Sequence, residues 1–254
     1  MSVAAFYDQM APFYHLIFED WERSIARHAD MLDAVIRQHW AAPDRPRASV
    51  SVLDVACGIG TQALGLARLG YRVTASDLSP AAVRRARDEA AQRDLSISFS
   101  VADMREAYAH HGRSFDLVLA CDNALPHLLS EDDILTALRQ FYRCTRSGGG
   151  CLISVRDYAR MERTDQVQLY GIREEAGVRY LIFQARRFDG PNYDLDMYFI
   201  KDAGGTECST HVMRTRYYAV DTTTLLALME RAGWVDVQRL DGVFFQPLMI
   251  GTKR

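Results

Sequence analysis

The chain has 254 residues, 48% of them hydrophobic and 25% charged, with a formal net charge of -3. That size and balance suit one large domain, or one domain with an insertion, with an ordinary core that needs no metal or disulfide. The acidic balance speaks against a nucleic-acid partner, which leaves a basic stripe; Arg84, Arg85 and Arg87, beside Asp88 and Glu89, read as a solvated face.

The first 40 residues carry Phe6, Met10, Phe13, Tyr14, Ile17, Phe18, Trp21, Ile25, Leu32, Val35 and Ile36 at spacings of three and four. This predicts amphipathic helix, interrupted at Pro12. The start is acidic and aromatic, without a cationic stretch or a continuous apolar run, so it does not read as a signal peptide. No run of about 18 apolar residues follows anywhere, so no membrane span is expected. A polar, proline-bearing link at 41–47 marks the edge of the main domain.

From there strands and helices alternate. Strands are expected at 50–55, 71–76, 97–101, 115–120 and 151–155. Helices are expected at 61–69, at 80–93 behind the Ser79 cap and Pro80, and at 131–146, ended by Gly148-Gly149-Gly150. Such alternation means βαβ units and a parallel sheet. Residues 164–218 break the rhythm with four strand-like stretches, 166–172, 178–187, 193–200 and 211–218, separated by turn-rich pieces. They predict an inserted antiparallel meander. Asp221 then caps a helix to Ala232, and two closing strands, 234–240 and 244–251, form a hairpin-like pair.

Cys57, Cys121, Cys144, Cys151 and Cys208 are odd in number and include no C-x-x-C pair. Reduced thiols in a cytoplasmic protein are expected, with neither a disulfide framework nor a metal site.

Gly58-Ile59-Gly60-Thr61-Gln62-Ala63 lies between a strand and a helix, and Asp77 ends the next strand. A dinucleotide site has these features, so a nicotinamide-dependent oxidoreductase is a rival reading. Asp54, just before the glycines, weighs against it, because an acid beside a pyrophosphate is unfavourable. It suits a ligand with a positive centre, such as an ammonium or a sulfonium. Asp77 can accept two hydrogen bonds from a ribose diol, and Asp103 can accept one from an adenine amino group while Met104 packs on the ring. All three acids stand at successive strand ends, on the edge where open α/β sheets bind ligands.

VLDVACGIGT, TASDLS, VADM and FDLVLACDNALPHL together resemble the motif series of class I S-adenosylmethionine-dependent methyltransferases over roughly residues 46–156. Within that superfamily the chain is most similar to glycine and glycine/sarcosine N-methyltransferases, through DVACGIGT, FYDQMAPFYHLIFEDW, Asn123 in CDNALPHL and Arg156 in CLISVRDY. The resemblance implies a Rossmann-like doubly wound α/β domain at 46–160 and 219–254, with a helical lid at 1–45 and an inserted antiparallel acceptor subdomain at 161–218. It implies S-adenosylmethionine as cofactor. Asp54, Ala56, Gly58 and Gly60 would lie along its methionine part, Asp77 and Leu78 along its ribose, Asp103 and Met104 along its adenine, and Cys121 near the methionine. Tyr14, Trp21 and Arg27 would close over it from the lid, with Arg27 aimed at its carboxylate.

For the acceptor, Arg156 after the fifth strand offers a fork for a carboxylate. Asn123 can hold the acceptor amine or its carboxylate. Tyr198 in the meander is a hydroxyl partner or a packed strand aromatic. His127 is a general base or a packing residue, and Asp122 accepts a proton or orients its loop. The expected reaction is methyl transfer to a small molecule, foremost the amine of a carboxylate-bearing compound such as glycine or sarcosine. Alternatives are N- or O-methylation of a natural-product intermediate, hydride transfer, and nucleotide binding without catalysis. A homo-oligomer is compatible with a lid shared between chains.

Overall fold

The computed structural model describes residues 2–41 and 44–254. The 41–47 link therefore falls partly outside the described residues. The N-terminal segment forms α1 (Val3–Met10), a 3-10 turn at Tyr14–Ile17 and α2 (Trp21–His39). Ser2 and Asp20 cap the two helices by accepting from Ala5 and Arg23 backbone amides.

The main sheet has seven strands: β1 (Ser51–Asp54), β2 (Arg72–Asp77), β3 (Ser98–Val101), β4 (Phe115–Ala120), β5 (Thr145–Ser154), β10 (Val235–Leu240) and β11 (Leu248–Thr252). Their order is β10-β11-β5-β4-β1-β2-β3, parallel except where β11 runs against both β5 and β10. The connecting helices are α3 (Thr61–Arg68), α4 (Pro80–Gln92), α5 (Ala107–His111), α6 (Glu131–Cys144) and α7 (Thr222–Arg231). The strand order reverses between β1 and β4, and a crevice opens there beyond the carboxyl ends of the strands. One core packs α2 and α3 against one sheet face; the other packs α1, α6 and α7 against the opposite face and continues into a second sheet.

That second sheet is an antiparallel meander of β6 (Gln166–Glu175), β7 (Val178–Asp189), β8 (Asn192–Asp202) and β9 (Ser209–Tyr218). Its inward face is set by strand parity. On β8 Tyr193, Leu195, Met197 and Phe199 are buried. Gln184 and Arg186 of β7 stand opposite Met197 and Leu195 and share that face.

The triple glycine does not end α6. The helix stops at Cys144, and Gly148, Gly149 and Gly150 belong to β5. Their role is close approach: a Cβ on Gly150 would meet the Trp40 ring at 2.1 Å, and one on Gly149 would meet the Asp116 carbonyl at 2.3 Å. The last strand begins at Leu248, later than the apolar run from Phe244 suggests, because 244–247 turn back toward the crevice.

Candidate functional site

Two cavities meet above the carboxyl ends of the parallel strands. The first, about 250 Å³, is lined by the turn after β1 (Ala56, Cys57, Gly58), by Asp77 and Leu78 after β2, by Asp103 and Met104 after β3, and by Cys121 and Asp122 after β4. Gly60 stands behind this wall as the N-cap of α3, at φ +100°, a conformation that costs a residue with a side chain strain. Asp77 builds the floor. One carboxylate oxygen accepts from the Gly58 amide at 2.8 Å, the other from Ser79 at 2.9 Å. Burial raises its pKa, and those amides partly offset the rise. Asp103 accepts from Arg105, whose guanidinium holds it low; it lines the cavity as an ion-paired group.

Asp54 is placed differently from the expected ligand contact. It is buried under the turn, where one oxygen accepts from the Ala56 amide and the other has no partner. Burial pushes its pKa up to about 7. It supports the turn from below and does not line the cavity.

The lid lines the first cavity with Val3, Tyr7 and Tyr14, a different set from the one expected. Tyr14 lines it, but Trp21 does not: its indole donates to Thr61 at 2.9 Å and its ring lies beside Arg85 and Arg93. Trp21 fastens α2 onto α3. Arg27 lines the second cavity and not the first. Sequence periodicity located the helix, but the turn at Tyr14–Ile17 sets which side chains face inward.

The second cavity, about 320 Å³, lies between α1, α2 and the inward face of the meander, with Asn123 and Arg156 in its wall. The Asn123 carbonyl accepts from the Arg156 backbone amide at 3.1 Å and from the Tyr158 hydroxyl at 2.9 Å. That orients the Asn123 amide, whose nitrogen is buried and has no partner. Arg156 donates to the Tyr193 hydroxyl at 3.1 Å. Among the described residues it forms no ion pair. Arg186 stands nearby, and its charge and Arg156's repel.

Tyr198 lies on the wrong face for the role expected of it. Its ring stacks on Phe183 at 4.6 Å on the outer side of the meander. Five positions along the same strand, Tyr193 occupies the inward face that Tyr198 was expected to supply. A register step of one residue exchanges the faces of a strand. The apolar run Leu195, Met197 and Phe199 is the sequence signal that separates the two tyrosines.

His127 lines the first cavity with both ring nitrogens engaged, Nε2 2.9 Å from the Tyr7 hydroxyl and Nδ1 3.4 Å from the Thr215 hydroxyl. Its ring lies 4.1 Å from that of Tyr217. Burial lowers its pKa to about 3, which leaves it a neutral packing group and a poor proton acceptor.

Three residues belong to both cavities: Tyr7, Tyr14 and Asp122. Asp122 and Asn123 both hold left-handed backbone, at φ +56° and +66°. Ser154 anchors them, its hydroxyl accepting from the Asp122 amide and its carbonyl from the Asn123 amide. Asp8 of α1 ties the lid to the first cavity by accepting from Ser79 and from the Ala81 amide at the start of α4. Tyr7, Asp8 and Tyr193 carry no readable signal of their own, because their partners lie between 35 and 120 residues away in the chain.

Residues 52–149 match the family model for a methyltransferase domain. That stretch of the chain carries a methyltransferase domain. The methyl donor of this domain type is S-adenosylmethionine. The chain is 30% identical over 142 residues to a glycine/sarcosine N-methyltransferase of Parasynechococcus marenigrum, an alignment covering 56% of this chain and 48% of that protein. It spans about half the length of the curated relatives it matches. Its fold is that of the Streptomyces venezuelae protein DesVI (TM-score 0.82, 18% identity, covering 96% of this chain and 98% of that one) and of the sugar N-methyltransferase KedS8 from a Streptoalloteichus species (TM-score 0.77, 21% identity, 95% and 92%). Both comparisons span the methyltransferase domain and the added meander. Among the described residues no helix is long and apolar enough to cross a membrane, and no cluster of His, Cys, Asp or Glu could hold a metal.

Proposed function

We propose that the protein transfers a methyl group from S-adenosylmethionine to a small-molecule nitrogen, with the donor in the first cavity and the acceptor in the second. The observation that carries this is the junction: Tyr7, Tyr14 and Asp122 line both cavities. An in-line displacement needs donor and acceptor on opposite sides of one methyl group.

The residues of the first cavity fit the donor. Asp77 keeps acceptor capacity for a ribose diol, Met104 and Leu78 offer apolar cover for an adenine, and the Gly58 backbone is open to close approach. When bound, S-adenosylmethionine supplies an activated methyl on a sulfonium leaving group. The protein contributes alignment and exclusion of water.

Arg156 and the partnerless amide of Asn123 support a carboxylate-bearing acceptor. A second reading, a hydroxyl-rich amine, is supported by the inward chain in which Tyr170 donates to Gln184 and Gln184 to Gln168. The test is a methyl-transfer screen over amino acids, amino sugars, phenols and carboxylic acids, followed by release of S-adenosylhomocysteine. Calorimetry with S-adenosylhomocysteine checks the donor alone; no binding at millimolar ligand removes the whole reading.

A further inference from the structure

An amine that dissolves as an ammonium has no free lone pair, so the enzyme must find a place for its proton before the methyl moves. We infer that Asp122 takes this proton, and that the acceptor of the proposed methyl transfer arrives as an ammonium; the inference rests on that proposed function.

Four observations lead to Asp122. It is the one carboxylate that lines both cavities, so it stands where the reacting nitrogen must be. Its backbone is held in left-handed conformation directly after β4, a strained arrangement that aims a side chain and is kept at functional sites. Its carboxylate is in no ion pair among the described residues, and its hydrogen-bond partner is the Gln246 amide, which donates at 3.5 Å. Finally, His127, the other candidate base near the junction, has both nitrogens engaged.

The charged and titratable groups around Asp122 are Tyr7 of α1, Tyr14 of the following turn, Cys121 of β4, Arg156 after β5 and Tyr170 of β6. Burial raises its carboxyl pKa, while Arg156 and Tyr14 favour the ionised form. A raised carboxyl is a better proton acceptor than a free one, and the Ser154 anchor on its backbone amide fixes its place.

The step balances. The ammonium gives one proton to the Asp122 carboxylate. The freed nitrogen lone pair forms the bond to the methyl carbon as the carbon–sulfur bond breaks, and that electron pair neutralises the sulfonium. The product leaves as a methylammonium, and the proton on Asp122 passes to solvent.

Asp122→Asn and Asp122→Gly both tolerate the left-handed backbone and remove the base. With an amine acceptor from the screen, either variant should lose about 10²- to 10⁴-fold in kcat near neutral pH. Activity should return as the pH approaches the acceptor's own pKa. A readout without turnover accompanies this. With S-adenosylhomocysteine present, the wild type should bind the ammonium about tenfold or more tighter than an isosteric neutral analogue, as a charge-assisted contact predicts. The variants should not discriminate. An unchanged circular-dichroism spectrum and urea-unfolding midpoint show that the variants are folded. A loss equal at all pH values, or discrimination that survives in Asp122→Asn, overturns the inference and leaves the proposed function standing. If donor analogue binds but no amine is methylated, the amine reading falls and the inference falls with it.

Discussion

The two cavities are built in different ways. The first cavity is made of short-range pieces: each wall is a strand end followed at once by a turn, and Asp77 closes it by accepting from amides at positions 58 and 79. The second cavity is made of long-range pieces. Asn123, Arg156, Tyr158 and Tyr193 form one hydrogen-bonded group drawn from β4, β5 and the meander. Truncating or replacing the meander should therefore disturb the second cavity and leave the walls of the first in place.

The sharpest break between the two halves is expected at Asp77. Asp77→Ala removes the acceptor of two backbone amides, each charge-assisted bond being worth about 1.5–3 kcal/mol. S-adenosylhomocysteine affinity by calorimetry should fall by about two orders of magnitude or more. Arg156→Ala should act on the other half alone. The acceptor Michaelis constant should rise about 10- to 100-fold while S-adenosylhomocysteine binding stays nearly unchanged. Equal losses in both would mean that the halves are not separable.

Next comes pH. His127 has an ordinary pKa of 6.5 unfolded and about 3 folded, so the unfolded chain binds the extra proton between those values. Stability is full above 6.5 and falls as the pH drops toward 3, by up to about 1.4 kcal/mol per unit. His28 and His111, each lowered to about 4, act in the same direction. Asp54, raised to about 7, acts in the opposite one. The measurement is therefore a difference: urea unfolding at pH 4 and pH 7 should show a smaller acid loss in His127→Phe than in the wild type.

Trp21→Phe should cost about 1 kcal/mol of stability by loss of the bond to Thr61, with little effect on S-adenosylhomocysteine affinity. A large affinity loss would return Trp21 to the donor site. The smallest effect is expected at Tyr198→Phe, which should leave acceptor kinetics unchanged. Tyr193→Phe should raise the acceptor Michaelis constant, because Tyr193 holds the Arg156 guanidinium.

Much of this protein is legible one residue at a time. The β-strand periods, the caps at Ser79 and Asp221, the antiparallel meander and the closing hairpin all follow from side chains within a few positions of each other. So do the turn glycines and the acids after β2 and β3, because a strand end and the turn behind it are neighbours in sequence. The Gly148–Gly150 run was misread as a helix stop for the opposite reason: Trp40, more than a hundred residues earlier, is what requires it.

What tertiary structure alone decided is which groups share a cavity. The sequence places Asp54 in the motif but does not show that it lies beneath the turn. It offers Tyr193 and Tyr198 on one strand, and only the docking of the meander against α1 and β5 turns one inward. It shows that Arg27 and Tyr14 belong to one lid, and packing puts Tyr14 in the wall of both cavities and Arg27 in that of the second alone. The sequence by itself determined a methyltransferase domain and the strand-end turns that line the first cavity, since those contacts are local. The second cavity and the position of Asp122 between the two were decided by contacts between segments far apart in the chain.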